Sequence, residues 1–390
     1  MNFSFTEEQT MFADALEKFI QREYGFEKRR AIQQSPEGFS REVWAAFADM
    51  GLLGLPFDEE HGGFGGMPVD TLLVMQALGK GLVVEPYWAT VVMAGGAIRL
   101  GGSAAQKEEL LPAIAAGERI FAWAHGEPAA RYDLAHVATS ARPDGKGYVL
   151  DGAKAVVIYG AQADRLIVSA RTAGGVRDPQ GISLFIIDGK TPGVAVRDYR
   201  TLDGLRAAEV TLNGVKAGAE ALLAAPGGAP GGAHGLIEQV CDLGLAALCA
   251  EGVGLMESLN AVTLDYLKTR QQFGQPIGRF QALQHRAVDM MIHAEQSKSM
   301  AYLAAMRAAS PDAGARQRAV SAAKAYIGRA ARRVAEEAIQ LHGGMGVTNE
   351  LAASHYAKRL VMLDFMQGDA DHHLARFAAA PLQVDAKSAS

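Results

Sequence analysis

The hydrophobic period changes twice along this chain, and that switch confines it to folds that set a β-rich block between two helical ones. From Thr6 to about Gly117 apolar residues recur at helical spacing, with helices expected at 6–22, 41–50, 68–79 and 105–116, and Thr6 with Gln9 forms a capping-box pattern. Glycine-rich turns such as 62–66 separate them. From 119 to 223 the period falls to two. Strands are expected at 121–125, 136–141, 147–156, 165–171, 182–188, 194–199 and 208–212, parted by turn formers such as Pro143-Asp144-Gly145 and Asp188-Gly189. Short strands at this spacing argue for a barrel or sandwich and against a parallel sheet with crossover helices. An Ala/Pro/Gly run at 224–232 reads as a loop or linker, and helical spacing then holds to the end. There Leu283, Ala287, Met290, Met291 and Ala294 mark one apolar stripe on a helix ending near Pro311, and another helix is expected over 315–341. Three domains follow, at 1–118, 119–232 and 233–390.

Composition removes several function classes. With 49% hydrophobic and 21% charged residues, a 390-residue chain folds into a globular protein. Lys and Arg total 38 against 43 Asp and Glu, so no basic excess recommends nucleic acid or a membrane surface as partner. The N-terminus lacks the continuous apolar run of a signal peptide. The most apolar stretch, 243–256, carries Glu251 and several glycines, and it reads as a buried helix with no membrane insertion. Cys241 and Cys249 fall on one expected helix about 12 Å apart, too far to bridge, so both read as core thiols and a cytoplasmic location is expected.

Four segments carry more than architecture. At 121–133 a strand stops at Glu127-Pro128, which by spacing alone reads as a domain junction. Asp151-Gly152-Ala153-Lys154 precedes an apolar run and by itself is a β-turn between strands. In Arg270-Gln271-Gln272-Phe273-Gly274, followed by Phe280-Gln281, the planar guanidinium, ring and amides suit nucleotide phosphates and a base edge, though helix punctuation explains the same residues. Gln340-Leu341-His342-Gly343-Gly344-Met345-Gly346 lets backbone N–H groups approach an anion, or serves as an interhelical turn. Asp369, Asp371, His372 and His373 hold metal-ligating groups, but Asp371-His372-His373 are consecutive and cannot converge on one ion from a helix, so no metal is expected.

Taken in order, these segments resemble the acyl-CoA dehydrogenase family over essentially the whole chain. The resemblance implies an α+β multidomain fold: a helical N-terminal domain, a central β-barrel or sandwich domain and a C-terminal four-helix domain, assembled as a tetramer with FAD between domains and across a subunit interface. It implies oxidation of an acyl-CoA to the 2-enoyl-CoA, a base for the α-proton, and an electron-transferring flavoprotein as acceptor. Arg270, Phe273 and Gln281 match positions that reach the adenine and pyrophosphate half of a neighbouring subunit's FAD, and Gln340, Gly343 and Gly344 match the loop that meets the same half. Trp123, His125 and Gly126 match the lining of the flavin ring. The wording at 368–374 and 132–134 is similar to the small subunits of pimeloyl-CoA dehydrogenases.

The departures from the family pattern point elsewhere. The usual catalytic glutamate position holds Gln367, whose carboxamide has no useful basicity, and the alternative base position holds Gly244, followed by Leu245 in place of arginine. Tyr132 stands where a serine seats the pantetheine arm, Val156 and Ile158 replace a tryptophan and a threonine beside the flavin, and Asp369 puts a carboxylate near the expected pyrophosphate. Two mechanisms suit these losses: a base-lacking subunit completing FAD sites with a catalytic sister subunit in a heterotetramer, or a homotetramer in which Glu251 or Asp364 serves as a displaced base. A third reading is a binding or structural homologue without redox chemistry.

Overall fold

The computed structural model describes residues 5–223 and 231–380, so the 224–232 loop lies, apart from its last two residues, outside the described residues. The N-terminal region comprises α1 (Glu7–Glu23), α2 (Phe26–Gln34), α3 (Arg41–Asp49), α4 (Pro68–Lys80), a π-helix (Trp88–Gly95) continuing into α5 (Gly96–Gly101), and α6 (Ala104–Ala115). Thr6 caps α1 reciprocally: Gln9 N donates to Thr6 Oγ1 at 3.1 Å and Thr6 N to Gln9 Oε1 at 3.0 Å. The π-helix is absent from the sequence expectation for a physical reason. All its residues are buried, so no polar face marks a period.

Strands β1 (Phe121–Ala124), β2 (Ser140–Asp144), β3 (Gly147–Ile158), β4 (Arg165–Arg171), β5 (Ile182–Asp188), β6 (Val194–Arg200), β7 (Arg206–Ala217) and β8 (Leu222–Leu223) form one eight-stranded sheet. The order is β6-β7-β3-β2-β4-β5-β8, with β1 parallel to β4. Period two serves two cores at once: Leu166, Val168, Phe185 and Ile187 fill a core belonging to the sheet, while Ile167, Leu184 and Ile186 join the helical core. Two of the expected strands differ by more than two residues at an end, and β8 is additional to them. The strand expected at 136–141 begins only at Ser140, because the Ala138 and Thr139 amides donate to the Glu127 carboxylate at 2.7 and 3.0 Å instead of to a neighbouring strand. The one expected at 208–212 extends to Ala217, passing through Gly214, whose φ of 60° allows its amide to donate to Asp151 Oδ1 at 2.7 Å.

The C-terminal region is α7 (His234–Thr269), a short hairpin of β9 (Gln271–Gln272) and β10 (Gln275–Pro276), then α8 (Gln281–Ala308), α9 (Ala313–His342), α10 (Ala352–Phe365) and α11 (Ala370–Ala379). Although α7 is long and apolar enough to cross a membrane, 89% of its most apolar window is buried inside the fold. Cys241 and Cys249 are both free and buried there. On α8 the expected stripe needs correction: Met290 and Ala294 are buried but Met291 is exposed, and the buried row continues through Ser297, Ala301, Ala304 and Ala308. Small residues at helical spacing let α8 pack closely, a signal that weighting by side-chain size passes over.

The N-terminal helices meet the bundle through backbone. A Cβ on Gly79 of α4 would lie 2.3 Å from Glu251 O, and one on Gly254 of α7 would lie 2.0 Å from Gln76 O. Neither helix has a flexible side chain that could yield at those points. Replacing Gly254 with Ala is therefore expected to destabilise the protein by about 1–3 kcal/mol through overpacking, read as a lower denaturant midpoint at unchanged m-value.

Candidate functional site

A cleft of about 450 Å³ opens where the sheet faces the helices. Trp88 and Ala89 of the π-helix line one side, the β1 exit from Trp123 to Leu134 a second, Ala155, Val156 and Ile158 of β3 a third, and Met362, Phe365, Met366 and Gln367 at the end of α10 the fourth. A second pocket of about 300 Å³, between α1, α4 and Tyr356, gathers none of the expected site residues.

Of those residues, Trp123, His125, Gly126, Tyr132 and Gln367 come together in the cleft. Tyr132 packs its ring 5.2 Å from that of His372. Val156, with φ 53°, is a β-branched residue in the left-handed region, set at an irregularity in the β3–β7 pairing. Asp369 does not confront a ligand as a free carboxylate: its Oδ1 caps α11, accepting from His372 N at 2.9 Å. His373 Nε2 bonds the Gln367 carbonyl at 2.9 Å, so this acidic and histidine cluster is engaged in holding the α10–α11 turn.

Arg270, Phe273, Gln281, Gln340, Gly343 and Gly344 form a separate group at one end of the bundle. Phe273 and Gly274 take φ values of 54° and 76° in the two-residue turn of the β9–β10 hairpin, as a type I′ turn requires. The Phe273 ring is left 89% exposed. One turn before Arg270, Tyr266 stacks on His342 with ring centroids 4.5 Å apart, which brings the hairpin beside the glycine turn after α9. A Cβ on Gly343 or Gly344 would meet nothing within 4 Å, so this backbone faces open space.

Neither usual base position supplies a base. Gln367 lines the cleft at φ 59°, held in the left-handed region by its carbonyl bond to His373 and by the Lys324 ammonium, which donates to Gly368 O at 2.6 Å. At Gly244 the space for a side chain is already filled: its Cβ would lie 2.2 Å from Met93 Sδ, and its carbonyl accepts from Trp88 Nε1 at 3.0 Å. The displaced candidates are also engaged. Both oxygens of Glu251 are bound by Arg359, at 2.6 and 2.8 Å. Asp364 Oδ1 accepts from Ala370 N at 3.2 Å, and burial raises its pKa.

Glu127 and Lys154, to which the sequence assigns no role, are joined at the cleft, Glu127 in its wall and Lys154 behind it. Lys154 Nζ, fully buried, donates to Glu127 Oε1 at 2.7 Å and to Ser169 Oγ at 2.9 Å, and Ser169 Oγ lies 2.9 Å from His125 Nδ1. Burial pulls Lys154 down to about 8 against the pull of Glu127. Glu127 resists its own burial and falls to about 2, because the ammonium and its donors stabilise the carboxylate. Burial, aided by Lys154, lowers His125 to about 3. A charged residue at an inward strand position was the available signal.

Because folded His125 binds protons more weakly than an ordinary histidine of pKa 6.5, its contribution to stability is complete above that value and is lost as pH falls toward about 3. Glu127 acts with the same sign in the window from 4.5 down to about 2. Thermal stability is expected to fall below pH 6.5, and a His125→Gln variant to lose less between pH 6 and pH 5, by up to about 1.4 kcal/mol per pH unit. Parallel melting curves for both proteins at the two pH values would show this, and equal losses would contradict it.

Models of the acyl-CoA dehydrogenase N-terminal, middle and C-terminal domains match residues 6–118, 122–215 and 236–382. The probable acyl-CoA dehydrogenase YngJ of Bacillus subtilis is 28% identical over 95% of this chain and 97% of its own length. The butyryl-CoA dehydrogenase structure from Megasphaera elsdenii superposes with a TM-score of 0.88 at 25% identity, covering 97% of this chain and 99% of that one. The ChsE4-ChsE5 complex from Mycobacterium tuberculosis gives 0.85 at 27% identity, covering 98% and 100%. Members of the family are FAD-dependent. The cleft suits such a group: Trp123 Nε1 is a buried donor with no acceptor among the described residues. Its fold, its three matched domains and its flavin-compatible cleft make this chain a member of the acyl-CoA dehydrogenase family.

Proposed function

We propose that this chain is the base-lacking small subunit of a heteromeric acyl-CoA dehydrogenase, completing FAD sites together with a sister subunit that supplies the glutamate. The reading rests on one observation: Gln367, which the family resemblance puts at the catalytic glutamate position, lines the cleft, and the alternatives Gly244, Glu251 and Asp364 are filled or bound elsewhere. FAD, when bound, supplies the hydride acceptor for the β-carbon. The protein must supply the proton acceptor, and a carboxamide can orient a thioester by hydrogen bonding but cannot take that proton.

The bundle-end group supports a shared site. Arg270, Phe273, Gln281, Gln340, Gly343 and Gly344 lie outside the chain's own cleft, and an aromatic ring 89% exposed at a hairpin tip suits a partner's surface. That a solved relative is a complex of two differently named chains supports the same arrangement. Medium-chain or dicarboxylyl thioesters are the proposed substrates, from the similarity of 368–374 to the pimeloyl-type small subunits, and an electron-transferring flavoprotein is the proposed acceptor.

Anaerobic stopped-flow measurement of flavin bleaching by acyl-CoA tests the proposal. The purified chain alone is expected to leave the flavin oxidised, whereas co-expression with its sister subunit restores bleaching. Bleaching by the isolated chain would overturn the proposal in favour of an active homo-oligomer. Absence of flavin from every assembly would instead leave a binding homologue.

A further inference from the structure

We propose that Lys154 is a positioning residue that, through Ser169, holds His125 as the tautomer with its proton on Nε2, giving the cleft a second N–H donor beside Trp123 Nε1. The inference concerns this chain's own cleft and does not depend on the sister subunit.

The argument is one of hydrogen-bond capacity. An ammonium only donates, and Lys154 Nζ directs its protons to Glu127 Oε1 at 2.7 Å, Ser169 Oγ at 2.9 Å and His125 O at 3.3 Å. Ser169 is fully buried, and its hydroxyl has one other polar neighbour within hydrogen-bond distance among the described residues, His125 Nδ1 at 2.9 Å. Were Nδ1 protonated, the Ser169 hydrogen would have no acceptor in a site closed to water, which buried hydroxyls rarely tolerate. The hydroxyl therefore donates to Nδ1, and the ring proton lies on Nε2. A doubly protonated ring is opposed first by burial and then by the ammonium one hydroxyl away, while the Leu134 carbonyl, part of the cleft wall, favours a ring N–H.

Trp123 and His125 lie with ring centroids 5.9 Å apart and planes inclined by 37°, and both line the cleft. The Trp123 N–H has no acceptor among the described residues, and the His125 N–H faces the Leu134 carbonyl of the same wall. A planar ligand edge bearing carbonyl and imine acceptors, as the pyrimidine end of a flavin does, would pair with the first and share the second with that carbonyl. Lys154 touches neither ligand nor cleft. It acts through the direction of the Ser169 hydroxyl.

The test uses the FAD-loaded protein with 15N-labelled histidine, His125 being identified by its loss in a His125→Phe variant. The expected signature is a protonated Nε2 and a bare Nδ1 between pH 6 and pH 8. In Ser169→Ala, which keeps the Lys154–Glu127 pair, the Nδ1–H form should appear and FAD affinity should fall by about two- to tenfold, the equivalent of one hydrogen bond. A Lys154→Met/Glu127→Gln double variant, which leaves no buried charge unpaired, should show the same mixture of tautomers. An Nδ1–H ring in the unaltered protein, or a tautomer unmoved in both variants, overturns the relay. FAD affinity unmoved in both Ser169→Ala and His125→Phe overturns the donor role.

Discussion

Arg359 joins three parts of the chain that are far apart in sequence. From α10 it binds both oxygens of Glu251 on α7, and its Nη1 reaches Asp203, in the loop between β6 and β7, at 2.8 Å. The sheet and the helical bundle are thus tied at one buried guanidinium, 7% exposed, whose removal would strand two carboxylates. Its geometry also reaches the cleft. Arg359 Nη1 lies 3.4 Å from Met366 Sδ, so the residue that joins the domains also steadies the wall from which Gln367 projects.

One ion cluster therefore has two effects on the chemistry. By holding the end of α10 it steadies the wall that carries Gln367, and by binding Glu251 it withdraws one of the displaced candidates. Met93 does the equivalent by volume, filling the room beside Gly244. What the cleft retains is donors and apolar walls: Trp123, His125, Ile158 and Met362 can receive and orient a planar ligand. The glycine turn and the Phe273 hairpin lie apart from it, as two contributions from one chain to two different sites would.

Much of the fold was legible because its periods are clean. The strands at 165–171 and 182–188 have the bounds the alternation implies, since each alternates between two cores without interruption. The Thr6–Gln9 box marks the start of α1 for a similarly local reason. Where long-range contacts decide, the sequence is silent. Residues 136–139 have strand composition but give two amides to Glu127, and nothing local announces a carboxylate as their partner. The π-helix has no polar face, and Met291 takes the exposed side of α8 because alanines form the contact. At the site, Gln367 and Gly244 could be located by counting from motifs. That Met93 fills the space at Gly244 and Arg359 binds Glu251 required the packing itself.

The glycine crossing of α4 and α7 also sets a timetable. Leu72 to Gly79 on α4 is buried throughout, and the helix that covers it does not reach its crossing point until Gly254 has been made. At about 5–20 residues per second, synthesis of the intervening chain takes on the order of ten to forty seconds. During that interval the apolar flank of α4 has left the ribosome without its cover. Docking of α4 on α7 thus waits for the strand-rich domain between them to be completed.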